Sequence, residues 1–243
     1  MRKHLFIALA GLTLDDSVDT RSALLQVLQR NPSAIGLIPV TGTLNDVAVA
    51  PDGRTVVAAE QDGSLDFFEV GSRAMVGGPV PVLDNANAYQ MAFDPSGRTV
   101  AVAGHTGQST TIGLVDATDH HVTPLTSFGQ ANGAMDLAFS PNGKQLAVAF
   151  ASVAVAGLNP ITPRWIDVID LATHDESYIK VGSFNTEEAG SSDSQHFTGI
   201  AYLPSGTLAV SWFDGGTTIW NLHSARPVER FAVGGPALAA SAD

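Results

Sequence analysis

LNDVAVAPDGRTVVAA (44–59) reads as two apolar runs bent around a Pro-Asp-Gly corner, and the design returns three times. The later copies are YQMAFDPSGRTVAVAG (89–104), MDLAFSPNGKQLAVAF (135–150) and TGIAYLPSGTLAVSWF (198–213). Pro51, Pro95, Pro141 and Pro204 fix φ at the second position of a type I turn. Asp52, Ser96, Asn142 and Ser205 follow with short polar side chains. Gly53, Gly97, Gly143 and Gly206 then supply the positive φ of a hairpin closed by a glycine bulge. The chain therefore contains four β-hairpins of one kind.

A third strand follows each hairpin: SLDFFEV (64–70), TIGLVDA (111–117), WIDVIDL (165–171) and TTIWNL (217–222). A more polar fourth strand is expected before each hairpin, from AIGLIPV (34–40), AMVGGPV (74–80), HVTPLTSF (121–128) and ESYIKVGS (176–183), with RPVERFAV (226–233) as the outer strand of an incomplete fifth unit. Apolar residues fill nearly every hairpin position rather than alternate ones, which fits sheets covered on both faces. Alanines such as Ala48, Ala92, Ala138 and Ala147 suit strands that crowd toward a common axis. The turn prolines are spaced by 44, 46 and 63 residues, and the first two intervals fall near the roughly 40–45 residues of a four-stranded propeller blade.

Over residues 34–243 the repeat resembles that of WD-repeat β-propellers. The family's Trp-Asp position holds Trp220-Asn221, Val115-Asp116, Ile169-Asp170 and Phe68-Glu69, and Asp62-Gly63 and Asp214-Gly215 match its tight turn. The family's Gly-His dipeptide is missing from all four units, so its histidine-centred hydrogen-bond network is not expected. The resemblance implies an all-β propeller of four-stranded antiparallel blades, four repeats plus an incomplete fifth, and a non-catalytic interaction module with no cofactor.

Residues 1–33 read differently, as a short helical hairpin. LFIALAGLTL (5–14) and SVDTRSALLQVLQR (17–30) have helical periodicity, with Leu24, Leu25 and Leu28 on one face and Ser17 as N-cap. The string LTLDDSVDTRSALLQVLQRNP (12–32) resembles the segment joining propellers to the NTPase core in large bacterial STAND-class regulators, some of which control transcription. That resemblance implies signal transduction in the cytoplasm, although no phosphate-binding GxxxxGK[ST] loop is present in this chain. MRKHLFIALAG (1–11) carries an apolar run too short for an export signal. LAASAD (238–243) aligns with VAVAPD (47–52), from which the chain is expected to stop inside a fifth repeat, as a fragment that self-associates through exposed blade edges.

Twelve Lys and Arg against 24 Asp and Glu give a net charge of −12. That balance disfavours direct nucleic-acid binding, and no apolar run is long enough for a membrane span. There is no cysteine, hence no disulfide and no thiolate site. His120-His121 are adjacent on an expected outer strand, where alternation turns them to opposite faces as solvated edge residues rather than a metal pair. A rival reading is a propeller hydrolase or lactonase built on carboxylates or a metal at the inner-strand entrances, which are Asp46, Gln90, Asp136 and Gly199. Carboxylates also recur with the strands at Glu60, Asp66, Asp116, Asp167 and Asp170. A third reading is a purely structural scaffold.

The 63-residue interval carries two insertions, ASVAVAGLNPITPR (151–164) and NTEEAGSSDSQH (185–196). They occupy connections two apart in a meander, so both are expected on one face. Asn159, Ile161, Pro163, Arg164 and Trp165, opposite Glu187, Glu188, Asp193 and His196, form the candidate patch for a protein partner or small-molecule signal. Long loops cost little, about 0.6 kcal/mol per doubling, but loops beyond roughly 12 residues are uncommon without a role.

Overall fold

The computed structural model describes residues 38, 40, 42–83, 87–106, 109–129, 132–151, 165–181, 197–212 and 216–232. The chain divides into two units, Met1–Val40 and Thr41–Asp243. The expected helical hairpin (1–33) and the part of the expected fifth repeat beyond residue 232 lie outside the described residues.

Four four-stranded sheets make up the described part of the second unit. The first holds β1 (Leu44–Val49), β2 (Thr55–Glu60), β3 (Ser64–Glu69) and β4 (Val80–Pro81). The second holds β5 (Asn87–Phe93), β6 (Thr99–Thr106), β7 (Ser109–Asp116) and β8 (Val122–Gly129). β9 (Asn132–Phe139), β10 (Gln145–Ala151), β11 (Trp165–Asp170) and β12 (Glu176–Lys180) form the third. The fourth comprises β13 (Phe197–Tyr202), β14 (Leu208–Trp212), β15 (Thr217–Asn221) and β16 (Arg226–Phe231). Strand order equals chain order in every sheet and all pairings are antiparallel, so each is an up-and-down meander.

The hairpin corners form as their sequence requires. Gly53, Gly97, Gly143 and Gly206 have φ of 68°, 72°, 68° and 81°. Each donates its N–H three residues back, to Ala50, Asp94, Ser140 and Leu203, at 2.8–3.0 Å.

The outer strand is grouped differently from expectation. β4 pairs with β3, and Met75 bridges Phe68, so AMVGGPV belongs with the hairpin before it, not the one after. The same holds for β8, β12 and β16. A short turn joins each third strand to its fourth, and local connection decides the pairing. Residues 38 and 40 of AIGLIPV are not in a strand.

Three cores lie between successive sheets. β6 shows the rule: Val100 and Val102 face the first sheet with Val57, Leu65 and Phe67, while Ala101 and Ala103 face the third. β10 repeats it, with Leu146, Val148 and Phe150 turned to the second sheet and Ala147 and Ala149 to the fourth. In β6 and β10 large side chains thus point to the preceding sheet and small ones to the following sheet, so neighbours interdigitate with both faces dry. Each fully buried valine contributes about 2 kcal/mol of apolar burial. The alanines serve this face-to-face approach of the second strands. The first strands pack in series, β1 on β5, β5 on β9 and β9 on β13. They line the inner edge of a row of blades.

Candidate functional site

Each hairpin's first strand carries a bulge one residue before the inner-entrance position. The register shifts at Leu44/Asp46, Ala88/Gln90 and Phe197/Gly199, and β9 is irregular at the same place. The bulge swings Asp46 and Asp136 toward the next blade. Asp46 accepts hydrogen bonds from the Met91 N–H (2.8 Å) through Oδ2 and from its own neighbour Val47 through Oδ1. Asp136 does the same with Ile200 (2.7 Å) and Leu137 (2.9 Å). Asn45 adds a bond from Nδ2 to the Ala88 carbonyl.

Burial pushes the Asp136 carboxyl up to about 6, against the lowering effect of its two amide donors, and the charge of Asp46 adds to the rise. Burial raises Asp46 as well. Both carboxylates expected at a catalytic entrance are therefore committed to holding blades together.

The other recurring carboxylates divide into two kinds. Asp116 and Asp170 cap the turn to the fourth strand, accepting the N–H groups of Thr118 and Asp119, and of Ala172 and Thr173. These bonds hold both carboxyls below the ordinary value. Asn221 caps its turn through Ser224, and Glu69 binds the Ser72 hydroxyl. The residues at the resemblance's Trp-Asp position thus act as turn caps.

The second kind occupies one register position of the third strand, opposite Ala58, Val102, Val148 and Val210, which holds Asp66, Gly113, Asp167 and Thr218. Asp66 and Asp167 are only 2% and 6% exposed, and each keeps an Oδ1 with no hydrogen-bond partner. Asp167 is raised to about 6 by burial and then by Glu176. Glu60, beside Asp66, is raised by burial and then by the charge of that neighbour. Thr218 accepts the indole N–H groups of Trp212 (3.1 Å) and Trp220 (2.8 Å). No sequence signal marks this shared threonine, because its partners are set by packing.

In the expected tight turn, Gly63 has φ 89° and Asp62 accepts both the N–H and the hydroxyl of Ser64. Asp214-Gly215 lies outside the described residues. Among the described residues, no group of three His, Asp or Glu side chains is placed to hold a metal.

His120 corrects an expectation. It is not a solvated edge residue on a strand. It sits in the turn before β8 with φ 62°, half-buried, its ring stacked on Phe67 at 4.3 Å. His121 is exposed.

Of the candidate patch, only Trp165 falls within the described residues, as the first residue of β11. Asn159, Ile161, Pro163, Arg164, Glu187, Glu188, Asp193 and His196 lie outside them. The feet of the two insertions are nonetheless placed. Trp165 and Lys180 are register partners on adjacent strands. The first insertion leaves the sheet after Ala151 and re-enters at Trp165, and the segment carrying the second begins beyond Lys180, all at one edge.

No protein-family model matches the sequence, and no curated protein matches it. Among solved structures, the chain is similar to the β-propeller domain of Cps50 (Swd1) from Myceliophteria thermophila. The two are 15% identical with a TM-score of 0.63, and the match covers 82% of this chain and 58% of that one. The chain spans less than two thirds of that domain's length. This likeness, with four antiparallel four-stranded sheets, establishes a β-propeller fold.

Proposed function

We propose that this chain is a non-catalytic propeller module that takes a protein partner or small-molecule signal on the edge from which the two insertions leave. The observation that carries the reading is the Trp165–Lys180 pairing, which roots both long connections side by side on a rigid sheet. Binding loops on a stiff scaffold are how such folds acquire partners. The rival hydrolase reading is disfavoured because Asp46 and Asp136 are occupied by backbone amides across blades. Asp66 and Asp167 are too deeply buried to meet a substrate. The parent context we favour is a cytoplasmic STAND-class signalling or transcription regulator. Self-association through exposed blade edges belongs to the same proposal, and Val47 and Val49 of β1, 51% and 57% exposed, are apolar side chains open to such a contact.

A photo-crosslinking residue at position 165, compared with one at position 71 on the opposite edge, tests the reading. The expected result is a discrete crosslinked partner at 165, absent at 71, and lost when 185–196 is deleted from a chain that melts normally. Equal crosslinking at both positions, or persistence after the deletion, contradicts it.

A further inference from the structure

The blades share a backbone plan and differ in how the ends near their turns are filled. Each turn from third to fourth strand holds one non-glycine residue in the left-handed region, at Arg73, His120, His174 and Ala225, with φ of 58°, 62°, 62° and 52°. In the second blade that residue reaches the first blade. The imidazole of His120 lies over Phe67 with planes 22° apart, beside Gly77, where a Cβ would come within 3.4 Å of the ring.

The register position of Phe67, opposite Val57, is taken in the third blade by Val168, opposite Ala147. The turn position of His120 is taken in the fourth blade by Ala225. Both rings are thus replaced by small side chains, and beside Val168, between the third and fourth blades, the structure has an open cleft of about 550 Å³. Val168, Ile179 and Leu222 give it an apolar lining, Gln145, Ser177, Thr207 and Asn221 supply uncharged hydrogen-bonding groups, and His223 adds an imidazole. Among the described residues no Asp, Glu, Lys or Arg lines it, on a chain of net charge −12.

We propose that the cleft between the third and fourth blades is a binding site for an aromatic side chain with a polar edge, tyrosine or tryptophan, presented by a protein partner. The volume lies within the roughly 300–1,000 Å³ of ligand sites. The corresponding place between the first two blades shows what the backbone geometry accepts, a planar ring with a nitrogen at its rim. An apolar lining interspersed with neutral donors and acceptors suits a phenol or indole, which buries its body and bonds through its tip. The site lies at the hairpin-turn edge, away from the insertions, so it does not depend on the loop reading.

The test uses the whole chain, with 4-methylphenol and 3-methylindole as probes and isobutanol as aliphatic control, followed by amide chemical shifts. Saturable shifts at Ser177, Ile179, Thr207, Asn221 and Leu222 are expected, with Kd of about 1–10 mM for ligands of this size and at least about threefold weaker binding of isobutanol. Val168→Phe combined with Ala225→His, which rebuilds the filled arrangement, is expected to weaken both probes at least about tenfold. Ala225→His alone serves if the double variant does not fold. Shifts confined to other residues, a fitted Kd weaker than about 20 mM, an equal response to isobutanol, or unchanged affinity in the filled variants overturns the proposal.

Discussion

The interface between the first and second blades and that between the third and fourth are built on one scheme and finished differently. At the inner end both carry the same link, Asp46 to Met91 in one and Asp136 to Ile200 in the other. Toward the hairpin turns one is sealed by His120 on Phe67, and the other is open beside Val168. The inner end is architecture, fixed by backbone amides that every blade presents. The turn end depends on side-chain volume at two positions, and there the blades are free to diverge. The middle of the third-to-fourth interface compensates for its open end with Trp212, Trp220 and their shared acceptor Thr218.

The comparison breaks most severely at Trp212, which is 1% exposed. Trp212→Ala is expected to destabilise the chain by about 3–5 kcal/mol, read as a lower urea midpoint. A loss under about 1 kcal/mol would mean that the indole is not the core of that interface.

A smaller effect concerns pH. Asp136 has a carboxyl pKa of about 6 in the fold, against an unfolded value of about 4. The folded state therefore binds the proton more tightly. Stability from this group is fully present below about pH 4 and is lost as pH rises through 6, by on the order of 2–3 kcal/mol. Asp167 acts in the same direction. Asp62, Asp116 and Asp170 are held below their ordinary value and oppose it only at more acid pH. The expected outcome is a melting temperature that rises from pH 7 to pH 5, with a flatter profile in Asp136→Asn. A fall over that range in the unsubstituted chain would contradict the burial of these carboxyls.

The smallest change sharpens the difference between the two turns. Ala225→Gly relieves a left-handed residue with no ring to lose, and is expected to gain about 1 kcal/mol. His120→Gly relieves the same strain but gives up a stack worth about 0.5–1.5 kcal/mol, so its net effect is expected near zero. Equal gains from both would show that the His120–Phe67 contact contributes nothing.

The hairpins were legible because their signal is local. Proline, a short polar residue and glycine dictate a corner whatever lies around them, and Gly53, Gly97, Gly143 and Gly206 all adopt the conformation read from them. The grouping of the outer strand is not legible because AMVGGPV has no local mark of which hairpin it serves; its pairing depends on the turn at Gly71–Ala74. The place of His120 is not legible for a related reason. The left-handed turn position it occupies is taken by Arg73 and Ala225 in other blades, so residue type does not mark it, and its ring partner lies 53 positions earlier in the chain, on another blade. Asp46 and Asp136 were correctly placed at the inner entrances, but their role was not readable. Whether a carboxylate meets a substrate or a neighbouring amide depends on the next blade.

Hydrogen exchange at the Ile200 and Met91 amides tests the central claim, that the inner carboxylates hold blades together. In the unsubstituted chain both amides are predicted to exchange as slowly as those of the strand cores. Asp136→Ala is predicted to speed exchange at Ile200 by at least about tenfold, the loss of one charge-assisted bond, and to leave Met91 unchanged. Exchange at Ile200 that is already as fast as at an exposed turn amide, or that does not respond to Asp136→Ala, would contradict the account.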